Sequence, residues 1–199
     1  MAGIMQMLLA GVKSIIASSI SYVTTTALTN SDASYSFTNV NIGAADEKRT
    51  VLLVVGTDAP AGTDLRFTSV TCNGIAMEEV ISRFYTLQAV LIGIFKLDVP
   101  AGTTASFLVG LTNQGQRCRI ATHHALDLQD KELCGMISGT VDTNGLVARN
   151  IRVQDKGSVL AAMHCKQSGT TTWTGLTEAM DAQNENSTLS TALLNVSAD

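Results

Sequence analysis

The sequence is short of charge, of aromatic rings and of proline. Charged residues make up 15% of the 199, so the polar surface has to come from Ser, Thr, Asn and Gln. The formal net charge is −4 and Lys and Arg never cluster. Nucleic acid is therefore not an expected partner, because affinity for phosphate needs grouped cations. Aromatic residues, at 5%, are also too sparse for a base-stacking platform.

Catalytic and metal-binding motifs are missing as well. There is no Gly-x-Ser-x-Gly elbow, no glycine-rich phosphate loop and no Asp-x-Asp-x-Asp-Gly calcium loop. Cys72, Cys118, Cys134 and Cys165 are widely spaced and form no CxxC pair. They read as small buried residues of a protein assembled in a reducing cytoplasm; oxidised, they would allow three pairings. His123 and His124 adjoin in an expected strand and so face opposite ways, and His164 next to Cys165 has the same difficulty. Asp46-Glu47-Lys48-Arg49 alternates in sign and reads as a solvated loop; Asp46-Glu47 and Glu78-Glu79 are sequence neighbours, and sequence neither shows nor forbids the facing carboxylates that glycoside cleavage needs. The expectation is a protein that is not an enzyme, with no cofactor and no metal site.

Residues 1–20, MAGIMQMLLAGVKSIIASSI, differ from the rest. Their single charge, Lys13, sits inside the apolar run instead of ahead of it, unlike a secretory signal. The run is too short and interrupted to cross a bilayer, so no membrane insertion is expected. Met1, Met5, Leu8, Leu9, Val12 and Ile16 fall at helical spacing, with Ile4, Met7 and Ile15 spreading the apolar surface around them. Gly3 and Gly11 each weaken a lone helix by about 1 kcal/mol. The segment, helical or extended, must dock. It packs on its own domain or, as the favoured reading, anchors the chain to a partner through Met5, Leu8, Leu9, Val12 and Ile16.

From residue 21 onward, short strands alternate with turns. Candidates are 21–26, 35–40, 49–55, 65–72, 75–82, 89–97, 105–111, 118–126, 135–141, 146–153, 158–165, 171–177 and 189–196. Arg49–Val55 and Ala89–Leu97 are near-continuous apolar runs, as in strands covered on both faces. Asn73-Gly74 is a type I′ hairpin turn between two β runs. Asp58-Ala59-Pro60-Ala61-Gly62-Thr63 recurs as Asp98-Val99-Pro100-Ala101-Gly102-Thr103, best read as one tight-turn chemistry used twice. The regular turn spacing predicts an all-β fold: a single antiparallel β-sandwich over 21–199, jelly-roll-like, preceded by the 1–20 segment.

Trp173, the only tryptophan, lies among threonines in Thr170–Thr174. It is a packing residue of the core or of a subunit interface, or, in the alternative, a glycan contact on a groove wall.

Four stretches resemble small β-sandwich virion proteins of tailed bacteriophages and prophages. They are Tyr35-Ser36-Phe37-Thr38-Asn39-Val40-Asn41-Ile42-Gly43, Ala44-Ala45-Asp46-Glu47-Lys48-Arg49, Val99-Pro100-Ala101-Gly102-Thr103-Thr104-Ala105 and Thr172-Trp173-Thr174-Gly175. The likeness runs from Ser21 to about Glu178 and carries no functional residues with it. It implies a non-enzymatic structural protein located in the virion and assembled in the host bacterial cytoplasm. Such a protein joins other virion proteins through its N-terminus and projects as a tail fibre, spike or tail-tip element. A homo-oligomer, a trimer by analogy, and a host-surface glycan or receptor as partner go with that expectation. The alternatives are a head decoration protein that stabilises the capsid and, in a different class, a free carbohydrate-binding module. A hydrolase, the third class, requires carboxylates or histidines converging in a pocket.

Overall fold

The computed structural model describes residues 6–12, 19–86, 88–128, 133–140, 157–166, 169–184 and 187–196. Those residues form strands and turns with no helix. In chain order the strands are β1 (Gln6–Val12), β2 (Ser19–Leu28), β3 (Asp32–Asn41), β4 (Arg49–Asp58), β5 (Phe67–Cys72), β6 (Ile75–Ala76) and β7 (Glu78–Tyr85). They continue with β8 (Val90–Asp98), β9 (Thr104–Gly115), β10 (Arg117–Leu126), β11 (Leu133–Thr140), β12 (Ser158–Cys165), β13 (Thr177–Asn184) and β14 (Ser187–Asn195). The chain divides into two compact units, Tyr22–His124 and Met1–Ser21 with Ala125–Asp199. Of the 1–20 segment, the described residues Gln6–Val12 pair as a strand within the second unit's sheet.

The Tyr22–His124 unit contains two sheets, ordered β2-β10-β4-β8-β7 and β3-β9-β5-β6. Its pairs are nested: β2 beside β10, β3 beside β9, β4 beside β8, β5 beside β6. Successive strands β2, β3, β4 and β5 alternate between the sheets, as do β8, β9 and β10. The two sheets share one sandwich-like core, to which Tyr35 and Phe37 (β3), Val51, Leu53 and Val55 (β4), Leu91 and Phe95 (β8), Phe107 and Val109 (β9) and Ile120 (β10) contribute. The apolar run 49–55 is what a central strand requires, and every residue of β4 is buried.

Local irregularities have local causes. In β3 the buried residues are Tyr35, Phe37 and Val40, so the period of two skips a residue. The register shift between Phe37 and Val40 absorbs it, with Asn39 at φ 55, a conformation Asn tolerates. Asn73 and Gly74 both have positive φ, at 50° and 80°, and join β5 to β6 as the Asn-Gly pair predicts. Both Pro-Ala-Gly echoes are turns with glycine in the left-handed region, Gly62 at 86° and Gly102 at 78°.

The other unit is built on one antiparallel sheet, ordered β11-β1-β12-β14-β13. The strand expected at 158–165 is found as Ser158–Cys165. Thr171–Thr177 is not a strand, contrary to its β-branched composition; β13 begins only at Thr177. Residues 171–176 instead lie against the sheet, where Trp173 and Leu176 pack on Val159, Ala161 and Ala192. Burial of the indole outweighs the strand preference of its threonine neighbours. The strand expected at 146–153 falls outside the described residues.

Candidate functional site

Several of the side chains able to do chemistry are committed to structural bonds. Arg49 departs furthest from its expected setting. Asp46, Glu47 and Lys48 are exposed, but Arg49 at the start of β4 is only 1% exposed and does not belong to a solvated loop. Its guanidinium donates to five backbone carbonyls: Val99 (2.8 Å), Gly43 (2.9 Å), Ala44 (2.6 Å), Ala101 (2.9 Å) and Gly102 (2.8 Å). All five donors of the planar fork find acceptors on two loops. Burial lowers its pKa, opposed by the fields of Cys72 and Asp46. The motifs Gly43-Ala44 and Val99–Gly102 therefore form one junction held by a cation.

Gly43 is needed at this junction twice over. Its φ is +84°, and a Cβ there would run into Nδ1 of His124. Gly43→Ala is expected to destabilise by more than ~1 kcal/mol, read as a lower urea midpoint.

Carboxylates are likewise engaged. Asp58 at the end of β4 is fully buried and accepts from Nε of Arg117 at 3.1 Å. Glu78 meets Lys96 at 3.0 Å, Glu79 accepts from Ser82 at 2.7 Å, and Asp98 accepts from Thr50 at 2.7 Å. Asp46 accepts from the backbone N–H of Lys48.

His123 is fully buried in β10, edge-on to Tyr22 with ring centroids 5.6 Å apart. Burial, with a smaller contribution from His124, pushes its pKa down to about 3, so the ring is neutral at physiological pH. His124 is half-buried, and its pKa is lowered first by burial, then by Arg49. His164 places Nδ1 3.0 Å from the Thr188 carbonyl, which sets the proton on that nitrogen. Cys72 and Cys118 are buried free thiols with pKa values raised by burial, and Cys165 is half-buried. Among the described residues no three His, Cys, Asp or Glu side chains group as metal ligands.

In the unit with the single sheet, the residues singled out from sequence are placed as follows. Leu8, Leu9 and Val12 lie in β1; Met5 and Ile16 lie outside the described residues. β1 is an extended strand, not a helix, paired antiparallel on both edges, with Leu9 opposite Ile137 of β11 and Ala161 of β12. Apolar residues at both parities, Met7 and Leu9 against Leu8, Ala10 and Val12, suit a strand inside a sheet.

Trp173 is half-buried. Its indole N–H donates to Oγ of Ser190 at 2.8 Å, and the ring packs on Val159, Ala161 and Ala192. Nearby, Asp181 accepts from the Thr171 N–H at 3.1 Å, and Thr171 Oγ1 lies 3.8 Å from the Met163 sulfur. Thr172 and Thr174 on either side of the tryptophan are exposed. Trp173→Ala is expected to lose about 3 kcal/mol of stability in urea unfolding, below the full cost of a buried tryptophan because the ring is only partly covered. Unchanged stability would place the ring outside the packing.

Sequence reasoning missed Arg49, Asp58 and Asn195. The Asn195 side chain accepts from the Ile20 N–H (3.0 Å) and from Ser158 (2.8 Å), and donates to the Ile20 carbonyl (3.1 Å). The clue for Arg49 was its position at the head of an apolar run; Asp58 and Asn195 left no local trace. No family model, curated protein or solved structure matches this chain.

Proposed function

We propose that the chain is a non-enzymatic structural protein of a bacteriophage virion. It joins the particle through its apolar N-terminal segment and projects as a tail fibre, spike or tail-tip element touching the host surface. The Tyr22–His124 unit is, in this reading, a jelly roll. Its nested pairs, β2 with β10, β3 with β9, β4 with β8 and β5 with β6, are those of one long hairpin rolled so that neighbours alternate between two sheets. That strand order is the observation that carries the proposal, because jelly rolls serve repeatedly as viral shell and lectin domains. The engagement of Arg49, Asp58, Glu78 and Glu79 in structural bonds agrees with a protein that does no catalysis. The link from fold to role is an analogy between architectures.

A carbohydrate-binding role is the second reading, favoured by the partly exposed Trp173 between two exposed threonines. The commitment of its N–H to Ser190 removes the polar handle a sugar would use, which ranks this reading lower.

Antibody against the protein, gold-tagged and imaged on purified phage particles, tests the proposal. Label at the tail end is the expected result. Label over the head would make the chain a capsid decoration protein, and unlabelled particles would end the virion reading.

A further inference from the structure

The loop between β3 and β4, residues 42–48, leans on a histidine of β10. Thr122, two positions before that histidine, donates Oγ1 to the Asn41 carbonyl at 2.8 Å and pins the end of β3. Gly43 follows, and the His124 imidazole lies so close to it that a side chain at Gly43 would occupy the place of Nδ1. That nitrogen is buried and has no hydrogen-bond partner among the described residues. The carbonyls of Gly43 and Ala44 in turn accept from Nη1 of Arg49. Ring, glycine and guanidinium are thus one contiguous set. Beyond Gly43, residues 44–48 are exposed, and the Asp46 N–H ties them to the Pro100 carbonyl at 3.1 Å.

A neutral ring tolerates this place and a charged one does not. Imidazolium carries a proton on both nitrogens, and a buried N–H without an acceptor forfeits the water it would bond outside. The five carbonyls of the junction already accept from Arg49. Burial first, then Arg49, hold the His124 pKa below its ordinary 6.5, and Asp46 opposes them. Asp46, Glu47 and Lys48 of the loop are all exposed. Val99–Gly102 brings no ionisable side chain, and β2 brings only Tyr22. Tyr22 lies edge-on to His123, which points to the other side of β10.

We propose that His124 is an acid-operated latch on the loop 42–48. Neutral, its ring fills the place beside Gly43 and keeps the Gly43 and Ala44 carbonyls on Arg49. Charged, it leaves that place for water and Asp46, and the loop comes away while β3 and β4 stay in their sheets. Arg49 then keeps the carbonyls of Val99, Ala101 and Gly102. The open form takes up a proton that the closed form refuses, so opening grows as pH falls below 6.5 and reverses as pH rises. Between about pH 7.5 and 5.5 it grows about tenfold, as long as the closed ring stays neutral. This is a local opening, separate from the weakening of the whole unit through His123, and it does not depend on the virion reading.

Hydrogen exchange of the full-length chain, followed by NMR at those two pH values, tests the latch. Each rate is referred to that of an unstructured peptide at the same pH. The reporters are the N–H groups of Gly43 and Asp46, bonded to Asn41 Oδ1 and to the Pro100 carbonyl. Those of Asn73 and Met77, bonded to the Ser106 and Val70 carbonyls, stand for the rest of the unit. Protection at Gly43 and Asp46 is expected to fall about tenfold in acid while Asn73 and Met77 keep theirs. His124→Phe, which fills similar space and does not titrate, should remove the fall. An equal loss at all four amides, constant protection in the loop, or a fall that persists in His124→Phe would each overturn the latch. Should the variant not fold, the His124 ring resonances of the parent are titrated instead. Their midpoint should coincide with that of the Gly43 and Asp46 amide shifts, and a separate midpoint overturns the proposal.

Discussion

Arg49→Met is expected to destabilise the Tyr22–His124 unit by roughly 4–6 kcal/mol, among the largest effects a single substitution produces. Methionine keeps much of the aliphatic stem but removes all five donors. The carbonyls of Gly43, Ala44, Val99, Ala101 and Gly102 then lose their partner in a site from which water is largely excluded. A buried polar group without a partner costs about 1–3 kcal/mol, and partial entry of water keeps the sum below five times that figure. Arg49→Lys retains the charge, yet three donors on a flexible stem cannot serve five acceptors, so most of the loss should persist.

The unit can be followed separately. Tyr22, Tyr35 and Tyr85 all lie within it, whereas Trp173 lies in the other unit. Arg49→Met should shift the tyrosine-detected urea transition strongly. An unchanged tyrosine transition would show that the five bonds add little beyond what water supplies.

Acid should weaken the same unit through His123. Its folded pKa is about 3, against an ordinary value of 6.5. Between those limits the unfolded chain binds a proton that the folded chain refuses, so stability rises with pH through the window and is lost as pH falls from 6.5 toward 3. At pH 4.5 the expected loss is about 3 kcal/mol relative to neutral pH. The half-buried His124 adds in the same direction, since burial and Arg49 lower its pKa too. His123→Leu should remove most of the difference between the urea midpoints at pH 7 and pH 4.5. An equally steep pH dependence in the variant would assign the acid sensitivity to other groups.

Much of the fold was legible in local pattern. The all-β class followed from apolar runs of strand length and regularly spaced turns, and nearly every described strand of residues 19–126 lies where its run of residues indicated. Asn73-Gly74 and the two Pro-Ala-Gly turns were readable because a positive φ is a property of one or two residues. The register shift between Phe37 and Val40 was not read from the sequence, which marked 35–40 only as a strand. Misreadings arose where distant partners decide. Thr171–Thr177 has the composition of a strand, yet Trp173 finds Val159, Ala161, Ala192 and Ser190 to pack on and bond with, and the strand starts later. For the leader, left open between helical and extended, the partners β11 and β12 decide that Gln6–Val12 is a strand.

The candidate sites divide along the same line. Sequence marked Trp173 and the leader because a lone large aromatic and an apolar stretch stand out from any background. It could not mark Arg49, whose charge looked solvated beside Asp46, Glu47 and Lys48, because its five acceptors come from loops up to 53 residues away.

The sequence by itself determined the all-β class, the turn positions and the absence of recognised catalytic motifs, since each depends on neighbours a few residues apart. Only the tertiary structure decided the nested strand order, the burial of Arg49 and Asp58 and the place of β1 between β11 and β12. Those outcomes depend on hydrogen-bond partners and apolar surfaces that the chain brings together from distant positions, and no local pattern encodes which partner will be found.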